Sequence, residues 1–181
     1  KTLLLIAVIL MYSTGVIAET KTAQTGERNW NTAGTWSPSG VPDSDDQVVI
    51  PDGAIITVDA TATIESINVQ TGGYLFINNA MTIGGGTNAS TVAGSATVSA
   101  TLTISANDLT VSGSLSIDKA KQVIFSSTSS DITNSGTITC NSDSNEFSSF
   151  IYRGTGYTSN NGTFTYARYI VAVGSAWDLI G

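Results

Sequence analysis

One small pattern recurs along this chain from Pro51 to Tyr166: Gly, any residue, apolar, any residue, apolar. It stands at Gly73–Ile77 as GYLFI, at Gly94–Val98 as GSATV and at Gly113–Ile117 as GSLSI. It returns at Gly136–Cys140 as GTITC and at Gly162–Tyr166 as GTFTY. An earlier copy, Pro51–Val58, carries its apolar pair, Ile56 and Val58, one place later after Gly53. The glycines fall roughly 20 residues apart and stretch to about 25 in the last two intervals, a period that marks a solenoid. A unit that short cannot bury an apolar face by itself, so each copy must stack on its neighbours.

Within each copy the apolar and polar positions alternate with period two, the pattern of a half-buried strand. Stacking then predicts two inward columns. One runs Leu75, Ala96, Leu115, Ile138, Phe164; the other runs Ile77, Val98, Ile117, Cys140, Tyr166. The Gly suits a bend before each strand, where a side chain would clash or φ is positive. Further short strands are predicted at Thr63–Val69, Met81–Ile83, Leu102–Ile104, Leu109–Val111 and Val123–Phe125. Two or three strands per turn around a narrow aliphatic core make an all-β, right-handed parallel β-helix, with the hand taken from the general rule for parallel crossovers. Six stacked turns would give a rod of about 29 Å. The alternative is an antiparallel β-sandwich, which also has many short strands and frequent turns. Repetition of one Gly-led unit favours the solenoid. The glycine run Gly84–Gly86 and the small residues after it predict a loop that leaves one turn and re-enters at Thr97–Val98.

The ends read differently. Residues 1–18 combine Lys1, the apolar run Leu3–Met11 and the small-residue site Val16–Ala18, which together read as a secretory signal too short to span a bilayer. Residues 19–45 hold Trp30, Trp36, Pro38 and Pro42 and no repeat. They are expected to cap the first turn of the β-helix, whose open edge would otherwise pair with another copy. The β-helix itself is expected over 46–166. Residues 167–181 read as the start of a further β element that is cut short.

Charge and composition then remove several functions. The chain holds 7 Lys and Arg against 14 Asp and Glu, a net charge of -7, and no His. With no basic patch there is nothing to displace counterions from a nucleic acid. Without His there is no Ser-His-Asp set. The single Cys140 cannot form an intrachain disulfide, and its column places it in the core as a small apolar group.

Three groups of residues remain as candidate sites. Trp30 and Trp36 are either part of the cap or a platform on which a sugar ring stacks. Asp43, Asp45 and Asp46 alternate so that their oxygens could serve calcium, the one cofactor suggested, against the plain reading of a solvated turn. Lys119 and Lys121, with Asp118 and Arg153, form a positive spot suited to an acidic sugar, or to base chemistry if they converge in a cleft. In addition, Ser114/Ser116, Thr137/Thr139 and Thr163/Thr165 would stack into a flat hydroxyl array able to order water or bind ice, interrupted at one end by Tyr74 and Phe76.

Trp36, Pro42, Asp45–Asp46, Val48–Ile50, Gly53, Val58 and Gly73–Leu75 together resemble the opening of the secreted β-helix modules of Bacteroidota surface proteins, many of them exported by the type IX system. The same residues are similar, more distantly, to an extracellular domain named for its eight glycines. The resemblance spans Asn29 to Ile83 and carries no catalytic residue with it. It implies a secreted or cell-surface module within a longer protein. The expected role is a non-catalytic structural or adhesin-type module that contacts an extracellular glycan or surface component. No nucleic acid and no membrane span after signal removal are expected. The alternative is the N-terminal part of a secreted carbohydrate-active enzyme whose catalytic residues lie outside this segment.

Overall fold

The computed structural model describes residues 18–154 and 157–166. The expected signal segment up to Ile17 and the expected further element at 167–181 lie outside the described residues. Among the described residues there is no α-helix, and no helix is long and apolar enough to cross a membrane.

The chain winds through three sheets in turn, and each sheet is one wall of a parallel β-helix. The second wall carries the Gly-led strands. In order it runs Gly26–Asn29, Ala54–Val58, Tyr74–Ile77, Ser95–Val98, Ser114–Ile117, Thr137–Cys140 and Thr163–Tyr166. The first wall runs Thr20–Ala23, Gln47–Ile50, Ser66–Val69, Ser90–Val92, Leu109–Val111, Ile132–Asn134 and Tyr157–Asn160. The third holds Ala62–Ile64, Met81–Ile83, Thr101–Ile104, Gln122–Phe125 and Ser149–Tyr152. Neighbouring strands in every wall are parallel, apart from the short strand Trp36–Ser37, which pairs antiparallel with Thr20–Ala23. A sandwich is thereby excluded.

Register puts like over like. Ile56, Leu75, Ala96, Leu115, Ile138 and Phe164 form one column of the second wall. Val58, Ile77, Val98, Ile117, Cys140 and Tyr166 form the next. The third wall adds Ile64, Ile83, Ile104, Phe125 and Tyr152. From Ile56 to Cys140 the second-wall columns are buried, and fully burying each such aliphatic group is worth about 1.5–3 kcal/mol. At the last rung Phe164 and Tyr166 are 42% and 50% exposed.

The repeated glycines are there for space. Gly94, Gly113, Gly136 and Gly162 all have φ outside the left-handed region. A Cβ on any of them would collide with the carbonyl oxygen of the glycine one coil earlier. Those same carbonyls accept hydrogen bonds from the next coil: Ser114 N–H to Gly94 O at 2.9 Å and Thr137 N–H to Gly113 O at 2.9 Å. Only the early copies use positive φ, Gly26 at 87° and Gly53 at 75°. Gly53 lies one place before the column, and Ala54 occupies the column position.

Two sequence expectations change. The segment after Gly86 does not skip part of a coil. Ser90–Val92 forms a strand in full register with Leu109–Val111, and Ser90, fully buried, accepts a hydrogen bond from Ile67 N–H at 3.2 Å. A buried Ser in place of an aliphatic residue hid that strand. The cap segment also begins inside the helix, because Thr20–Ala23 and Gly26–Asn29 already pair as coil strands. Lys21 takes an inward position in this first rung, 6% exposed, and its ammonium donates to Glu19 Oε2 at 2.6 Å. That hydrogen bond raises the Lys21 pKa.

The corner that leads into the first wall is stitched by side chains. Asp46 Oδ1 accepts from Glu19 N–H at 3.0 Å, Asn88 Nδ2 donates to Glu65 Oε1 at 2.8 Å, and Asn107 Nδ2 donates to the backbone oxygens of Glu65 and Asn88, both at 2.6 Å. Polar side chains at this corner thus add to the backbone bonds between coils, such as Glu65 N–H to Asp46 O at 3.0 Å.

Gly113→Ala is expected to destabilise the protein by about 1–3 kcal/mol through overpacking against the preceding coil. Gly34→Ala, whose Cβ would meet nothing within 4 Å, is expected to stay within about 1 kcal/mol of wild type. Urea unfolding of both variants checks this, and equal effects would show that the glycine column is not set by contact.

Candidate functional site: an aromatic and polar groove on the second wall

Trp30 and Trp36 are each 1% exposed and meet edge to face, with ring centroids 4.7 Å apart. Trp30 N–H donates to Thr57 O at 2.8 Å, which seats it at the end of the core column that Val58 begins. Trp36 Nε1–H donates to Trp30 O at 2.8 Å. Neither indole offers a face to solvent, so the sugar-platform reading of these two residues is corrected. They are the apolar lid of the first coil.

Among the described residues the exposed aromatic rings are Tyr74 and Phe76 on the second wall, and Phe147, Phe164 and Tyr166 toward the last coils. Tyr74 and Phe76 occupy outward positions of one strand and are 46% and 36% exposed. In register with them on the preceding strand are Ile55 and Thr57, and beyond these Glu27 and Asn29. Phe76, Ile55, Thr57, Glu27, Arg28 and Asn29, with Thr32 and Thr35 of the cap, line an open groove of about 600 Å³. That size falls within the roughly 300–1,000 Å³ of small-molecule clefts. Arg28 Nε donates to Thr25 O at 3.1 Å, which holds the guanidinium beside the groove, and Thr35 Oγ1 donates to Asn29 O at 2.7 Å, which ties the cap to its wall. A guanidinium has five donors, so others remain for a ligand. The groove therefore joins an apolar floor to a rim of donors and acceptors.

The profile of the family described as Domain of unknown function (DUF8693) matches residues 22–177. The chain belongs to that family. No curated protein and no solved structure matches it. The DUF8693 match takes in the cap residues and the described coils from Thr22 onward, and every residue of the groove.

Elsewhere in this DUF8693 domain the other candidate residues are used by the fold. Asp46 is 3% exposed, and its second oxygen accepts from Asp43 N–H at 3.0 Å. Asp43 Oδ1 accepts from Asp45 N–H at 3.1 Å. The trio closes a turn around its own backbone, and among the described residues no group of three or more His, Cys, Asp or Glu is placed to hold a metal ion. The calcium reading of Asp43, Asp45 and Asp46 is corrected accordingly.

Asp118, Lys119 and Lys121 do share a cleft of about 550 Å³, with Asn141 and Glu146, but Arg153 is not among its lining residues. Lys119 Nζ contacts Asp143 Oδ2 at 2.5 Å, and Asp118 accepts from Ser99 Oγ at 2.6 Å. The Asp143 hydrogen bond raises the Lys119 pKa, which keeps the ammonium protonated and is the wrong direction for a base. Lys121 lines the cleft beside two carboxylates, so the spot carries little net positive charge.

The outer hydroxyls stack as the repeat implies: Ser95, Ser114, Thr137 and Thr163 in one column, Thr97, Ser116, Thr139 and Thr165 in the other. Tyr74 and Phe76 continue those two columns. That is the signal that would have found the groove: two large aromatics at positions where every later coil carries Ser or Thr. Glu27, Arg28 and Asn29 escaped because their strand has no apolar alternation to mark it.

Asp143 is drawn down from 3.8 to about 2, first by the Lys119 hydrogen bond and then by the N–H of Asn145. A depressed carboxyl adds stability above its unfolded pKa and loses it as pH falls through the folded value. NMR titration of Asp143 is expected to give a midpoint near 2. Lys119→Met is expected to move that midpoint up toward 3.8; an unmoved midpoint would separate the two residues.

Proposed function

We propose that this chain is a non-catalytic, extracellular or cell-surface structural module of adhesin type that contacts glycans through the outer face of its second wall. The observation that carries this reading is the placing of Tyr74 and Phe76. In the two outward columns of the second wall every later described coil carries Ser or Thr, so a pair of solvent-facing rings at Tyr74 and Phe76 beside a polar groove is a departure from that pattern. The pairing of flat apolar surface with hydrogen-bonding groups suits a sugar ring, which has an apolar face and a hydroxyl edge. The N-terminal signal pattern and the resemblance to type IX-exported Bacteroidota surface modules support an address outside the cell. The stacked coils supply a stiff, extended support of the kind a surface stalk needs.

The test is a glycan array probed with the full chain, followed by product analysis of every glycan retained. Binding to a defined subset of glycans, recovered intact, is expected. A blank array would remove the glycan contact, and shortened glycans would replace the module with an enzyme.

A further inference from the structure

We infer that the groove on the second wall takes a neutral glycan, with a pyranose ring laid on Phe76 and Ile55, a flanking sugar on Tyr74 just outside the groove, and hydroxyls held by Arg28, Glu27, Asn29 and Thr57; this rests on the glycan-contact reading above. The geometry supplies the platform. Tyr74 and Phe76 are two residues apart on one face, which spaces their rings about 7 Å along the strand. Ile55, beside Tyr74, extends the apolar floor onto the preceding coil, and Thr57 and Asn29 extend the polar side from Phe76.

Charge selects the class. Glu27 and Arg28 are adjacent, both exposed, and face the same groove, so the site offers one donor-rich and one acceptor-rich group with no net sign. A uronate or sulfated chain would meet Glu27 locally and a chain of net charge -7 overall, and like charge disfavours it. A neutral sugar can use both groups, because a hydroxyl both donates and accepts.

The fold itself names the cleanest variant. Ser95 and Thr97 occupy the same two columns one coil on, so Tyr74→Ser with Phe76→Thr copies a rung the helix already contains. Affinity electrophoresis of the full chain, in gels containing neutral β-glucan, mannan, polygalacturonate or alginate, reads the result. Retardation by a neutral polysaccharide is expected. It should weaken at least tenfold in the double variant and in Arg28→Gln, with urea midpoints unchanged and little response to added salt. Retardation by the acidic polysaccharides alone would overturn the neutral class while leaving a glycan site. Neutral-glycan binding that survives the double variant would move the site elsewhere and leave the glycan-contact reading standing. No retardation in any gel would sink both. Self-association in sedimentation that disappears in the double variant would assign the aromatic face to a second copy of the chain and overturn the proposal.

Discussion

Everything in this molecule follows from the distance between stacked coils. Parallel strands that exchange backbone hydrogen bonds lie about 4.8 Å apart. At that separation each side chain sits on its counterpart one coil away, and each corner backbone presses on the next. Glycine is the only residue that fits where the carbonyl of one coil meets the Cα of the next, as it does from Gly94 to Gly162. Columns of Ile, Val and Leu then fill the interior, because one buried position repeated at every coil demands the same kind of residue each time. The alternation that follows sends the remaining side chains out into solvent.

A stack of this kind has ends, and the first coil shows what an end requires. Trp30 and Trp36 cover the first aliphatic rung with two rings in edge-to-face contact, and the strand Trp36–Ser37 turns back antiparallel along Thr20–Ala23. An antiparallel strand there ends the run of parallel edges that another copy could extend. Lys21 is tolerated at an inward position because Glu19 accepts from its ammonium beside the lid. The large residues of the cap thus serve closure, and the candidate groove lies on the wall that the cap adjoins.

Much of the fold was legible because the repeat carried it. The five GxΦxΦ copies, with Φ an apolar residue, fixed both the columns and their register, and the structure places Leu75, Ala96, Leu115, Ile138 and Phe164 in one line. What stayed hidden lacked aliphatic content. Ser90–Val92 has a buried Ser where a column expects Leu or Ile, and Glu27–Asn29 is polar throughout. The corner ladder through Asp46, Glu65, Asn88 and Asn107 depends on contacts between coils that no short window displays. The candidate residues fared worse than the fold for a related reason. Trp and Asp were selected by type alone, whereas burial decides what a type can do, and burial assigns Trp30, Trp36 and Asp46 to the scaffold. Tyr74 and Phe76 stand out in the amino-acid sequence itself as exceptions to a column, since an outward ring among hydroxyls needs a reason beyond folding.

The central claim is that successive coils are parallel and in register. Backbone NOEs on isotopically labelled protein test it most directly. The account predicts contacts linking Ser116 to both Thr97 and Thr139 in the parallel pattern, repeated at Leu115 with Ala96 and Ile138. Cross-strand Hα–Hα contacts typical of antiparallel pairs along these segments, or Ser116 contacts displaced by one residue on either neighbour, would contradict it.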